Sequence, residues 1–141
     1  MSVRVADRNL SKMEYIHNAQ IILNLTTERI NKYVSKISND ARYKHFVKSS
    51  QYSIWNSPIY HAQMLYQYTQ MANKTRDTNK RLEYLNNASQ NLELLETSLE
   101  TFYKRFKAVI NDKFIMLITE KIDYEKKLLK GCYNYSRNVS C

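Results

Sequence analysis

Residues 77–109 read DTNKRLEYLNNASQNLELLETSLETFYKRFKAV. Leu85, Ala88, Leu92, Leu95, Leu99, Phe102, Phe106 and Val109 recur there at alternating steps of three and four, the spacing that lines one stripe of an amphipathic helix. Neither Gly nor Pro interrupts the run. At about 1.5 Å per residue such a helix is roughly 45 Å long, and only other long helices lying beside it can cover a stripe of that length. The stretch therefore predicts a helical bundle.

The rest of the chain agrees with that reading. Its 141 residues contain one Gly and one Pro, so the residues that tight turns and hairpins require are nearly absent. Leu, Lys, Glu, Asn and Gln are abundant, and the length suits a single core. Ser11 and Glu14 form a candidate capping box, with Leu10 placed to staple onto Tyr15, which predicts that the first helix opens there. Its seam runs Ile16, Ala19, Leu23, Thr26, Ile30, Tyr33, Ile37. Ile21, Ile22 and Leu25 widen it into either a broad core face or a second stripe for another subunit.

Ser38-Asn39-Asp40 reads as a loop and cap, and Ala41 to Ser57 shows no clear period. Ser57-Pro58 fits an N-cap with Pro at the first helical position, a longer helix running through Pro58 being the alternative. Ala62, Leu65, Thr69 and Ala72 then give a second seam, with Met64, Tyr66, Tyr68 and Met71 beside it. Asn73 to Thr78 is a short polar turn. Beyond the long third helix, Asn111-Asp112 supplies a cap, and Ile115, Ile118, Ile122 and Leu129 form a fourth stripe that ends at Gly131, a left-handed C-cap by this reading. The expectation is an all-α, antiparallel, up-down-up-down four-helix bundle over residues 1–131, followed by a flexible tail, 132–141.

Catalytic and cofactor motifs do not emerge. His17, His45 and His61 share no metal-ligand spacing, and the only glycine, Gly131, rules out a glycine-rich phosphate loop. Glu93, Glu96 and Glu100 line one helix face at three-four spacing but lack the Glu-x-x-His partners of a di-iron bundle, so they read as a solvated acidic face. No metal, cofactor or enzymatic activity is expected. Cys132 and Cys141 sit too near the C-terminus to staple a core, which suits a reducing cytoplasm. Met1 to Asn9 lacks the apolar run of a secretory signal, and no stretch is long and apolar enough to span a membrane.

Charge is the most directive feature. A formal net charge of +9 favours polyanionic partners. In an antiparallel bundle Lys74, Arg76, Lys80 and Arg81 fall at one end together with Arg4, Arg8, Lys12 and the Lys126–Lys130 group. Arg29, Lys32 and Lys36 fall at the other with Arg42, Lys44, Lys48, Lys104, Arg105 and Lys107. Helix dipoles explain Lys36, Lys104 and Lys130. They do not explain Lys80 and Arg81, which open a helix where cations are disfavoured, and this points to an anionic partner held by its phosphates with little sequence preference.

Met71-Ala72-Asn73-Lys74-Thr75-Arg76, followed by Lys80-Arg81-Leu82-Glu83-Tyr84-Leu85-Asn86-Asn87-Ala88-Ser89-Gln90-Asn91-Leu92-Glu93-Leu94-Leu95-Glu96-Thr97, resembles the middle of a small four-helix-bundle family. That family comprises the proteins encoded in ribosomal RNA intervening sequences and the accessory variability determinant of diversity-generating retroelements. Its pattern there is an Asn-containing helix end, a basic turn, a Phe/Leu-rich helix start, then Ala-x-x-Ser/Asn-Leu-x-Glu-Leu; its Asn-Ile-Ala-Glu-Gly turn is replaced here by Ala72-Asn73-Lys74-Thr75. Arg8-Asn9-Leu10-Ser11-Lys12-Met13-Glu14 and Leu128-Leu129-Lys130-Gly131 look like the ends of small phage and mobile-element members. The resemblance implies a homo-oligomer, typically a pentamer, that binds RNA or an RNA/DNA hybrid and, in the retroelement branch, a reverse transcriptase. Lys74, Arg76, Lys80 and Arg81 occupy the family's basic turn. The alternative is a phage or mobile-element structural module whose cationic ends meet an acidic protein.

Overall fold

A computed structural model describes the backbone of residues 5–43 and 52–139 and the side chains of residues 14–43 and 53–138. Four long helices make up nearly all of it: α1 (Val5–Ser38), α2 (Tyr52–Lys74), α3 (Thr78–Arg105) and α4 (Asp112–Val139), with a short 3-10 turn at Ala41–Tyr43 after α1. Among the described residues there is no strand. Each helix packs on its neighbours in sequence, most extensively α3 on α2, and α1 closes the ring against α4. The chain is thus an up-down-up-down bundle.

The α3 stripe behaves as its spacing predicts. Leu85, Ala88, Leu92, Leu95, Leu99 and Phe102 are all buried, and they meet the α2 seam of Ala62, Leu65, Thr69 and Ala72. The small Ala side chains on both helices allow the two backbones to approach closely. On α1 the buried row is Tyr15, Ala19, Ile22, Thr26, Ile30, Tyr33 and Ile37. Tyr15 and Ile22 thereby replace Ile16 and Leu23, which are only partly buried against the core.

Four boundaries depart from the sequence reading. α1 begins at Val5, with Ser11 inside it, because residues 5–10 contain nothing that stops a helix. α2 begins at Tyr52 and runs through Pro58, the longer-helix alternative; Pro58 lacks an N–H, so the Ile54 carbonyl forgoes its intrahelical bond. Phe46, Lys44, Lys48 and His45 lie outside the described residues.

α3 stops at Arg105, so Lys107 and Val109 belong to the turn that follows. Phe106 leaves helical geometry at φ −121°, ψ 31° while its N–H still bonds the Phe102 carbonyl. Its ring is fully buried, 5.3 Å from Tyr43, 6.3 Å from Trp55 and 5.3 Å from Phe102 between centroids. Packing the ring among three aromatics holds the chain where the helix ends. Asn111 then opens α4 as expected, its Oδ1 accepting from the Lys113 N–H at 2.9 Å.

Gly131 is not a C-cap. α4 continues through it to Val139, and no described glycine has a positive φ. Cys132 and Tyr133 pack against the core and Ser136 is buried, so side-chain contacts carry the helix past a residue whose own propensity is worse than Ala by about 1 kcal/mol. The segment expected to be a tail is helical as far as Val139.

Candidate nucleic-acid interface

The α2–α3 turn brings Lys74, Arg76, Lys80 and Arg81 to one end of the bundle, but the four do different work. Asp77 is the N-cap of α3, its carboxylate accepting from the Asn79 N–H at 2.9 Å and the Lys80 N–H at 3.3 Å. A carboxylate thus sits at the positive end of the α3 dipole, where it is favourable. The turn itself is braced by the Thr75 hydroxyl, which accepts from the Asp77 N–H at 3.2 Å.

Arg81 faces the other way. Its guanidinium donates from Nη2 to the Thr75 carbonyl at 2.8 Å and from Nε to the Ala72 carbonyl at 3.3 Å. These carbonyls end α2, and a cation bonded to them satisfies orphan acceptors at the negative end of the α2 dipole. The α2 dipole therefore accounts for Arg81, which the sequence reading left unexplained by helix dipoles: it is a helix cap donated across the turn. Lys74, Arg76 and Lys80 are exposed and make no ion pair among the described residues.

The opposite end gathers Arg29, Lys32 and Lys36 on α1 with Lys104 and Arg105 in the last turn of α3 and Lys107 just after it. Aromatic contacts hold these segments together. Tyr33 stacks at 5.7 Å on Phe114, and its hydroxyl accepts from the Asn111 N–H at 3.2 Å, tying α1 to the α3–α4 turn. Lys104 pairs with Glu100 at 3.0 Å, and Arg42 with Asp40 at 2.8 Å. Such exposed pairs are screened by water and add little to stability. Lys32, Lys36 and Lys107 are exposed without an ion pair among the described residues. The side chains of Arg4, Arg8 and Lys12 lie outside the described set.

Between the ends the charge is mixed. Lys126 and Lys127, expected at the α2–α3 end, lie instead at mid-height because α4 continues to Val139; there Glu96 accepts from Lys126 at 2.9 Å, and Glu93, Glu120, Asp123 and Lys127 are exposed nearby. No group of three or more His, Cys, Asp or Glu among the described residues could hold a metal ion. His61 is a packing residue, its Nδ1 3.2 Å from the Asn91 Oδ1 and its ring against Tyr60.

The core also contains polar groups that the sequence reading passed over. Asn18 donates its Nδ2 to the Lys121 carbonyl at 3.0 Å and to the Glu125 Oε1 at 3.1 Å. Glu125 is fully buried, and its Oε2 finds no partner among the described residues, nor does the Thr26 hydroxyl. Burial raises the Glu125 carboxyl to about 8, against a smaller downward pull from the Asn18 bond. Nearby, Tyr15 donates its hydroxyl to the Thr69 carbonyl at 3.4 Å, and burial raises its phenol as well. The signal for Glu125 was present: it falls four before Leu129 and three after Ile122, inside the apolar row.

The fold and these surfaces define an all-helical bundle with cationic ends and a middle of mixed charge. No described helix is long and apolar enough to cross a membrane. Compared with family models, with curated proteins and with solved structures, the chain matches none.

Proposed function

We propose that this protein is a non-enzymatic accessory factor that binds RNA or an RNA/DNA hybrid through its phosphates. The observation that carries the reading is the set of exposed, unpaired cations at the two ends, Lys74, Arg76 and Lys80 at one and Lys32, Lys36 and Lys107 at the other, on a chain of net charge +9. Lysines and arginines of this kind neutralise phosphates and release counterions, and they carry no base-reading information. Arg29, Lys104 and Arg105 add charge to the second end. Arg81 contributes positive potential while its hydrogen bonds stay within the fold.

Association with a reverse transcriptase in a diversity-generating retroelement, and assembly as a homo-oligomer such as a pentamer in the cytoplasm, are proposed on the resemblance across Met71–Thr97. Titration of a structured RNA at two salt concentrations tests the binding. Affinity falls at least several-fold as salt rises, in proportion to the phosphates contacted. Failure to bind at low salt overturns the proposal in favour of an interaction module for an acidic protein. A solution mass equal to one chain removes the oligomer.

A further inference from the structure

Among the described residues, the cations of α1, α2 and α3 avoid the middle of the bundle. On α1 no Lys or Arg occurs between Lys12 and Arg29, on α2 none precedes Lys74, and on α3 none lies between Arg81 and Lys104. Only α4 carries lysines at mid-height. These are Lys121, Lys126 and Lys127; Lys126 is paired with Glu96, and Glu93, Glu120 and Asp123 are exposed around them, so that carboxylates offset the lysines there. The exposed positions in the middle of α2, Tyr60, Gln63 and Gln67, bear no charge at all.

Helix termini alone do not produce this arrangement. Lys80 stands at the start of α3, and Lys107 lies in a turn beyond a helix end. The two ends are separated by the length of α3, roughly 40 Å at 1.5 Å per residue. The Debye length in physiological salt is about 8 Å, so each end attracts anions independently of the other. A single polyanion lying along α1, α2 or α3 would meet neutral or acidic surface for most of its length, and along α4 it would meet lysines interspersed with Glu120 and Asp123.

We propose that the two ends hold separate nucleic-acid segments, so that one chain bridges two duplexes; this rests on the phosphate-binding reading above. Lys74, Arg76 and Lys80 form one contact, and Lys32, Lys36 and Lys107 the other. The weakly charged middle separates the two segments. Bridging of this kind raises the effective concentration of one strand near another without any new contact between the strands.

The experiment uses the full chain with two short RNA duplexes, one carrying a donor dye and one an acceptor, and reads energy transfer between them at low salt alongside the binding of each duplex alone. Transfer is expected with the parent protein. It is expected to disappear in Lys74→Glu/Arg76→Glu/Lys80→Glu and in Lys32→Glu/Lys36→Glu/Lys107→Glu, each variant still binding one duplex and keeping the parent's helical circular dichroism and melting temperature. Transfer that survives in either variant, parent binding without transfer, or a variant that binds no duplex each overturns bridging by opposite ends. If the parent binds neither duplex, the phosphate-binding reading falls with it.

Discussion

Arg81 reaches back across the α2–α3 turn and donates its Nη2 to the carbonyl of Thr75 at 2.8 Å. One helix is thereby closed by a side chain from the first turns of the next. The cation sits at the start of α3 in sequence but serves the end of α2 in space, and the Asp77 carboxylate supplies the negative charge that the α3 start prefers.

Arg81→Ala should lower stability by about 1–3 kcal/mol, the range for bonds between a charged donor and carbonyls that otherwise lack partners. Lys80→Ala, on an exposed side chain without an ion pair, should change it by less than about 0.5 kcal/mol. Urea unfolding of the two variants side by side is the check. An Arg81→Ala variant as stable as the parent would refute the capping role.

Glu125 makes stability depend on pH. Its carboxyl is raised from 4.5 to about 8 by burial, so the folded chain holds a proton that the unfolded chain releases. Stability from this group is therefore greatest below pH 4.5, declines as pH rises towards about 8, and is flat above it. The loss is on the order of a few kcal/mol. Glu125→Gln keeps an oxygen for Asn18 and removes the ionisation, so its unfolding free energy should lack this slope and exceed the parent's at the alkaline end. Parallel slopes in the two proteins would show that Glu125 is already ionised when folded.

Phe106 closes one end of the core among Tyr43, Trp55 and Phe102. Phe106→Ala should cost about 3–5 kcal/mol, as fully buried aromatics do. Near-ultraviolet circular dichroism should weaken with it, because three neighbouring rings lose their fixed packing. A denaturation midpoint close to the parent's would mean that the end re-forms without this ring.

At Gly131 the direction of the effect separates two structures. An added Cβ meets nothing within 4 Å and the residue lies inside α4 with no positive φ, so Gly131→Ala should raise stability by about 0.5–1 kcal/mol. Were the glycine a left-handed cap, the same change would lower it. Thermal melting of the single variant decides between them.

The order and pairing of the helices were legible because apolar spacing is a local property. A stripe such as Leu85 to Phe102 can be satisfied only by burial, and short connections force neighbours to run antiparallel. Helix ends were less legible. Pro58 and Gly131 both punctuate a helix by intrinsic preference, yet α2 and α4 pass through them, since tertiary packing outweighs a penalty of about 1–3 kcal/mol at one position. Phe106 shows the converse, a good apolar residue at which the helix nevertheless ends.

By itself the sequence determined four long amphipathic helices, their up-down order and a strong excess of positive charge, all of which follow from residue type and spacing. The tertiary structure alone decided what those charges do. Arg81 is turned inward because two carbonyls at the end of α2 need donors, Lys126 meets a carboxylate on the facing helix, and Glu125 is carried into an apolar row where water no longer stabilises its charge. Such outcomes depend on which backbone ends and side chains from distant parts of the chain come within about 3 Å of one another, a distance at which hydrogen bonds and desolvation outweigh any preference written along the chain.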